Sequence, residues 1–289
     1  MSREIRHSAI LLTICTAVAC FAQEAPTAVK NPKEQAWSVL DAGLAEGNVP
    51  KRTTAVQVLG LLPGDAKAKE SALKALKDDK PEVRAAAAQA LGDMKARDTT
   101  GSLYEMRNDK DAGVIVAAAH ALIALGDDRG YGVYYAILTG ELKSGQSLMD
   151  EQKKMLNDPK KLAQFGFEQG IGFIPFAGLG YGVFKMATKD TTSPVLAAAA
   201  LVLVKDPDPK SGEAIAAAAR GNKSWIVRAA ALNALALRGQ TSLLPAAESG
   251  LQDEKEEVRY SAAAAVIRLT DLSVRTAPAP KKAAAAKKK

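Results

Sequence analysis

Residues that commonly carry catalysis are scarce in this chain. Histidine occurs at His7 and His120, and the two cysteines, Cys15 and Cys20, lie close to the N-terminus. A histidine-based triad or a zinc site needs more such groups, held close together in the fold. The sequence therefore predicts no catalytic residues, no metal site and no cofactor, and we expect the chain not to be an enzyme.

Two further patterns with chemical potential have simpler explanations. Paired aspartates such as Asp78 and Asp79 fall in predicted turns, where carboxylates cap the starts of helices. Gly178, Gly180 and Gly182 lack the Gly-x-Gly-x-x-Gly spacing of a dinucleotide loop, and no Gly-Lys-Ser/Thr sequence follows them. Neither pattern indicates an acid–base pair or a phosphate-binding loop.

The first 22 residues have the pattern of a secretory signal. Arg3 and Arg6 precede an apolar run from residue 9 to residue 21, and residues 20–22 offer a small-x-small cleavage site. This run is shorter than the roughly 20 residues needed to cross a bilayer. We therefore expect an exported protein, periplasmic or secreted. In the alternative, residues 17–20 resemble a lipobox, and an acylated Cys20 would anchor a lipoprotein.

The positive charge is concentrated in the C-terminal tail. The formal net charge is +7, of which the residues from Arg275 onward supply six charges and the first 22 residues one, so residues 23–274 are neutral overall. Nucleic-acid-binding proteins concentrate basic residues on a folded face. We therefore expect no nucleic-acid binding, and only weak, salt-sensitive contact of the tail with anionic polymers or lipid.

A pattern of Val-Arg-x-x-Ala-x-x-Ala-Leu-Gly, complete in residues 83–92, recurs along the chain. Its copies align on residues spaced 32, 31, 81, 32 and 31 positions apart. A nearly constant period of this length indicates a repeat architecture. The aligned residues are Arg52, Arg84, Ile115, Leu196, Arg228 and Arg259.

Two other columns of the alignment predict a helix pair in each repeat. Alanine lies three positions after every aligned residue, and small residues at helical spacing let helices approach closely. An acidic residue or Asn lies six positions before it, where its oxygen is expected to accept N–H bonds at the start of a helix. A second amphipathic stretch, such as residues 66–77, lies upstream, so each unit is predicted to be an antiparallel helix pair.

With Asp78, Arg84 and Ala87 in this arrangement, the repeat resembles the HEAT family, particularly the short bacterial type also found in phycobilisome-lyase-like proteins. The resemblance covers residues 33–272 apart from one interruption. It implies an all-α solenoid of about six helical hairpins, stacked right-handedly, with second helices lining a concave face and acids pairing with arginines along a ladder. The ladder residues are Arg52, Arg84, Arg228, Arg259, Asp78 and Asp253.

The spacing of 81 residues leaves an insertion, residues 142–188, that is too long for an ordinary loop. It is rich in glycine and phenylalanine. Because the flanking repeats carry Ile115 and Leu196 instead of arginine, we expect the insertion to fold against the ladder and cover it there. In the alternative, part of its apolar surface stays open to a partner, an apolar ligand or lipid. The candidate binding residues there are Phe173, Phe176, Tyr181 and Phe184.

Four repeats carry a polar residue five positions after the aligned residue, while Leu201 and Ala264 occupy this column in the other two. The polar side chains belong either to a solvated surface or to a row on the concave face that hydrogen-bonds an extended partner. These candidate binding residues are Gln57, Gln89, His120 and Asn233.

The patterns together predict a non-catalytic exported scaffold that binds a protein or peptide through its solenoid face, with or without the insertion. Two alternatives remain open: an envelope or membrane-surface attachment protein, and, by resemblance, a tetrapyrrole-binding enzyme similar to bilin lyases. The predicted organisation is a signal peptide (1–22), a linker (23–32), N-terminal repeats (33–141), the insertion (142–188), C-terminal repeats (189–272) and a disordered basic tail (273–289).

Overall fold

The computed structural model describes residues 31–139 and 192–276, and the regular structure in these two segments is helical throughout. The described residues belong to one unit. The predicted all-α class is confirmed.

The first segment contains seven α-helices and the second contains five. In the first segment they are α1 (Pro32–Leu44), α2 (Val49–Gln57), α3 (Ala66–Ala75), α4 (Pro81–Asp93), α5 (Thr100–Glu105), α6 (Ala112–Ala124) and α7 (Arg129–Thr139). In the second segment they are α8 (Thr192–Val202), α9 (Pro209–Gly221), α10 (Trp225–Arg238), α11 (Leu244–Ser249) and α12 (Glu256–Thr276).

The helices form pairs in which a first helix packs on the second helix that follows it. The described pairs are α1–α2, α3–α4, α5–α6, α9–α10 and α11–α12. By the register of the repeat, α7 occupies the place of a first helix and α8 that of a second helix. The structure therefore has the helical-hairpin repeat that the period of the sequence predicts.

Small residues let the second helices pack closely against one another. Ala87, Ala88 and Ala90 of α4 are buried, and a Cβ atom on Gly92 would lie 3.1 Å from the Cα of Ala121 on α6. Each second helix of the described segments packs against the next one in the stack, whereas the first helices α1, α3 and α5 scarcely touch one another. The second helices therefore form the inner layer of the stack.

The order of the repeats in space differs from their order in the chain. The second helices contact one another in the order α8, α10, α12, α2, α4, α6, with α7 packed on the far side of α6. The C-terminal segment thus precedes the N-terminal segment in the stack. The two ends of the stack, α8 and α7, are the helices that flank residues 140–191.

α12 joins the two segments, and we call its contact with α1 and α2 the seam. Lys33 of α1 pairs with Asp271, and Gly43 at the other end of α1 lies against the ring of Tyr260. The start of α1 lies beside the end of α12, and the end of α1 lies beside the start of α12, so the two helices run antiparallel. A Cβ atom on Gly43 would lie 2.5 Å from Cε1 of Tyr260, and this position therefore accepts no larger residue without a shift.

Polar contacts extend the seam to α2 and to the 3-10 turn Val58–Leu61 that follows it. Lys51 Nζ lies 2.5 Å from Glu256 Oε2. Arg268 Nη1 donates a hydrogen bond of 2.7 Å to the carbonyl oxygen of Leu61. The seam therefore combines apolar packing at Tyr260 with charged contacts toward both ends of α12.

The helix bounds correct two predicted boundaries. Pro32, placed in the linker, begins α1, and the side chain of Asn31 caps this helix by accepting the backbone N–H of Lys33 at 3.0 Å. Residues 273–276, assigned to the disordered tail, belong to α12. This helix reaches 21 residues because α1 packs along it beyond the length of the other second helices.

Candidate partner-binding site

Each inner second helix is enclosed by its neighbours, and in part of the stack one side stays open. α4 packs against α3, α2 and α6, and its exposed residues Glu82, Gln89 and Asp93 follow a single stripe. Residues seven and four positions apart share one face of a helix. This stripe is the side that α2, α3 and α6 leave open, and we call the corresponding surface of the stack the inner face.

Three of the predicted polar residues lie on consecutive helices of this face. Gln89 of α4 and His120 of α6 are exposed, and Gln57 of α2 is half-buried. None of the three has a hydrogen-bond partner within residues 31–139 and 192–276. The structure therefore places Gln57, Gln89 and His120 together, and we call them the polar row.

Asn233, the fourth predicted member, does not belong to this row. It lies on α10, with Ala264 of α12 between it and Gln57 in the stack, and it is 0% exposed. Neither its Oδ1 nor its Nδ2 has a hydrogen-bond partner. The prediction that Asn233 contacts a partner is therefore wrong for this structure, because its side chain is fully buried.

Arginines and aspartates form a ladder between successive repeats, on the turns that precede the second helices. Arg84 Nε and Nη2 donate to the two carboxylate oxygens of Asp109 at 2.8 and 2.7 Å. Its Nη1 donates to the carbonyl oxygen of Asp78, six residues earlier, at 2.9 Å. Arg52 binds Asp78 in the same two-pronged way, and so does Arg228 with Asp253.

The aspartates of the ladder act in the turn rather than as helix caps. Asp78 Oδ1 accepts the backbone N–H of Lys80 at 2.9 Å, and Lys80 is itself the N-cap residue of α4. Asp253 Oδ1 accepts the N–H of Lys255 in the same manner. Each aspartate therefore accepts the N–H of the residue just before the helix instead of an N–H in the first helical turn, and so stabilises the turn. The same aspartate also binds the arginine of the preceding repeat.

Burial makes the ladder pairs electrostatically significant. The side chains of Arg228 and Asp253 are 10% and 11% exposed. Burial by itself raises the pKa of Asp253, but the hydrogen bonds from Arg228 and from the backbone of Lys255 outweigh it, so the pKa lies below its ordinary value. The hydrogen bond to Asp253 in turn raises the pKa of Arg228. Both shifts favour the ionised pair.

Arg259 departs from the ladder pattern because the next repeat in space begins at the seam. Its Nη1 donates to the carbonyl oxygen of Asp253 at 2.8 Å, as in the other repeats. Its carboxylate partner, however, is Glu256 of the same helix, with Nη2 3.2 Å from Oε1. The contact across the seam is made by Lys51 instead, so the ladder is interrupted where the two segments meet.

The two ends of the stack differ in how they replace the missing arginine. Ile115 is buried against Val133 of α7, so a described helix covers this position. Leu196 on α8 is 42% exposed. The insertion that we expect to cover the ladder here lies outside the described residues, and within them α7 covers Ile115 while Leu196 stays partly exposed.

An aromatic surface on α5 and α7 was not singled out from the sequence. Tyr131, Tyr135 and Leu138 are exposed at positions i, i+4 and i+7 of α7. The ring of Tyr104 lies between two guanidinium groups, with Arg107 at 4.1 Å and Arg129 at 4.6 Å from its centroid. The helical spacing of the tyrosines was the available signal, and it was read as part of the repeat.

Several predicted residues lie outside the described segments. They are Cys20 and the four candidate binding residues of the insertion, Phe173, Phe176, Tyr181 and Phe184.

The described residues were compared with the requirements of a metal site and of a membrane span. No group of three or more histidine, cysteine, aspartate or glutamate side chains that could hold a metal ion occurs in residues 31–139 and 192–276. Among these residues there is also no helix both long and apolar enough to cross a membrane. The groups that the inner face presents are hydrogen-bonding side chains.

A stack of helix pairs joined by an arginine–aspartate ladder, with an accessible inner face, defines a helical-repeat scaffold. Residues 39–127 and 182–268, more than half of the chain, match the HEAT repeat family. The chain belongs to the HEAT repeat family.

More distant comparisons add no functional information. No curated protein matches the chain. Among solved structures, human deoxyhypusine hydroxylase in complex with glycerol is 17% identical over 83% of this chain and 97% of that chain, with a TM-score of 0.31. A likeness at this level carries no argument about the function of this protein.

Proposed function

We propose that this protein is an exported, non-catalytic scaffold that binds an extended segment of a protein across its inner face. The observation that carries the proposal is the polar row: Gln57, Gln89 and His120 lie on three consecutive second helices and have no partner among the described residues. Amide and imidazole groups both donate and accept hydrogen bonds, as the backbone of an extended peptide requires.

The shape of the surface supports an extended partner. Adjacent packed helices lie about 8–10 Å apart, so the polar row spans roughly twice that distance, or about six residues of extended chain. Between the row and the turns, Ala85 on α4 and Gly113 on α6 are small, while Glu82 and Val116 are larger. A peptide backbone can therefore approach the helices closely beside Ala85 and Gly113.

Export is supported by the N-terminal signal pattern, and the alternative of an anchored lipoprotein through Cys20 remains part of the proposal. Both place the protein where it meets other envelope or secreted proteins. Fractionation of cells that produce the full-length chain tests this: we expect the processed protein in the periplasm, in the medium or, if Cys20 is acylated, in the membrane fraction. An unprocessed cytoplasmic chain would contradict export.

Partner binding is tested by affinity capture from an envelope extract, read by mass spectrometry. We expect the double variant Gln89→Ala/His120→Ala to lose the captured protein. Glu213→Ala/Gln252→Ala is the matched control, because both residues are exposed on the outer helices or turns. If both variants and the wild type capture the same proteins equally, the inner face is not the binding surface.

A further inference from the structure

Asp93 stands out on the inner face because its position is unfavourable for folding. Its side chain is exposed, yet it has no hydrogen bond or ion pair within the described segments. Surrounding protein atoms raise its pKa to about 6, against a small opposing effect of Lys95. It is also the last residue of α4, where a negative charge opposes the helix dipole. Solvent reaches this carboxylate, but it lies in a recess.

The repeat does not explain Asp93. The residues at the equivalent position of the other second helices are Leu61, Ala124, Lys205, Leu237 and Arg268, none of which is acidic. By the register of the repeat, the neighbouring positions are Leu61 of the α2 repeat and Ala124 of α6, and the ammonium group of Lys95 donates to the carbonyl oxygen of Ala124 at 3.3 Å rather than to Asp93. A free carboxylate between aliphatic side chains fits a lysine, whose methylene stem packs on apolar surface while its ammonium group pairs with the acid.

The carboxylate of Asp93 extends toward the seam. Its Oδ2 lies 3.3 Å from where a Cβ atom on Gly60 would be, so the side chain extends over the 3-10 turn after α2. On the other side of that turn lies α12, whose Arg268 is held by the carbonyl oxygen of Leu61. Beyond Arg268, α12 continues to Thr276, from which the chain enters a tail that carries five lysines.

The tail is long enough to reach Asp93. Two helix-to-helix steps separate α12 from α4, about 16–20 Å in total, and Thr276 lies about 12 Å further along the helix axis than Arg268. The direct distance is therefore about 20–23 Å. The six residues from Thr276 to Lys282 extend to about 20 Å, and the lysine side chain covers the remainder.

We propose that the C-terminal tail of this chain occupies the inner face, with Lys281 or Lys282 paired to Asp93. The tail then lies beside the polar row and competes with any extended partner. Because the tail belongs to the same chain, its effective concentration at the site is in the millimolar range, enough for a weak contact to form. Only the competition with a partner rests on the proposed function, because the contact between the tail and Asp93 is intramolecular.

Zero-length carbodiimide crosslinking of the full-length protein tests the contact. We expect one dominant amide link between Asp93 and Lys281 or Lys282, whose yield falls severalfold when salt is raised from about 20 mM to about 0.5 M. Asp93→Asn removes the link, and Lys281→Arg/Lys282→Arg removes it while keeping the tail charge. Glu82, exposed on the same stripe about 16 Å away, serves as the internal control and should show no link.

Three results would overturn the inference. They are equal yields at Glu82 and Asp93, no link at Asp93, or a link that joins labelled and unlabelled chains when the two are mixed, which would assign the tail to a second copy. Affinity capture is independent of this experiment. Loss of the crosslink with retained, Gln89-dependent capture would refute the tail contact alone.

Discussion

The seam predicts that the effect of a substitution at Gly43 depends on Tyr260, which lies more than 200 positions away in the chain. A Cβ atom at residue 43 would lie 2.5 Å from Cε1 and 2.8 Å from Cζ of Tyr260, and 2.9 Å from Cβ of Ala55. Packed carbon atoms prefer separations of about 3.5–4.0 Å. Gly43→Ala therefore requires the buried ring, or α1 itself, to move by about 1 Å.

The magnitude follows from two opposing terms. Overpacking of this kind costs about 1–3 kcal/mol, and the higher helix propensity of alanine recovers roughly 1 kcal/mol. We expect Gly43→Ala to lower the free energy of unfolding by up to about 2 kcal/mol in the wild type. In the Tyr260→Ala background the ring is gone, α1 can shift away from Ala55, and the same change becomes neutral or stabilising. The expected coupling energy is about 1–3 kcal/mol.

Urea denaturation of the four proteins, followed by far-UV circular dichroism, measures this coupling. Gly132→Ala is the matched control, because a Cβ atom there meets no atom within 4 Å and the residue lies in α7. It should stabilise the protein by roughly 1 kcal/mol in both backgrounds. If Gly43→Ala has the same effect with and without Tyr260, α1 does not pack against α12 and the order of the stack is wrong.

Four further predictions follow from the ladder, the buried amide and the order of the stack. Arg228→Met should lower the free energy of unfolding by about 3–5 kcal/mol because it leaves Asp253 buried without its partner, and Arg228→Met/Asp253→Leu should recover most of this loss in urea titrations. The pKa of Asp253 is lower in the folded state than in the unfolded state. The ionised carboxylate therefore stabilises the fold fully above the unfolded pKa of about 3.9, and this stabilisation is lost as the pH falls through the folded-state pKa. The difference in melting temperature between the wild type and Asp253→Asn should shrink below about pH 4. Asn233→Leu should raise the free energy of unfolding by about 1–3 kcal/mol, since it removes an unpaired buried amide, and an unchanged or lower value would show that the amide is paired in solution. A circular permutant in which residues 192–276 precede residues 31–139, joined by a short flexible linker, should fold with wild-type helicity, and a permutant without cooperative unfolding would contradict the observed order of the helices.

The repeat pattern was sufficient to predict the helix pairs, and its resemblance to the HEAT family implied the ladder, in which three of the four arginines pair with an aspartate of the next repeat. Arg52, Arg84 and Arg228 recur with a fixed period, and each meets its aspartate through a turn of nearly constant length. Such contacts join neighbouring repeats, so they depend on local geometry that a period encodes. The same period aligned Gln57, Gln89, His120 and Asn233 at one position of their repeats, but it left open whether they form a binding row or a solvated surface.

The sequence by itself determined the class of fold and the helix faces, since both follow from spacings within one or two repeats, and its resemblance to HEAT repeats implied the ladder. Only the tertiary structure decided that α12 stacks on α1 and α2, which places α12 between Asn233 and Gln57. The seam joins residues more than 200 positions apart, and no periodic signal specifies which ends of a repeat array meet. The order of the helices in the stack depends on the fit of individual side chains, here Tyr260 against Gly43. It also depends on how much less surface the alternative orders would bury.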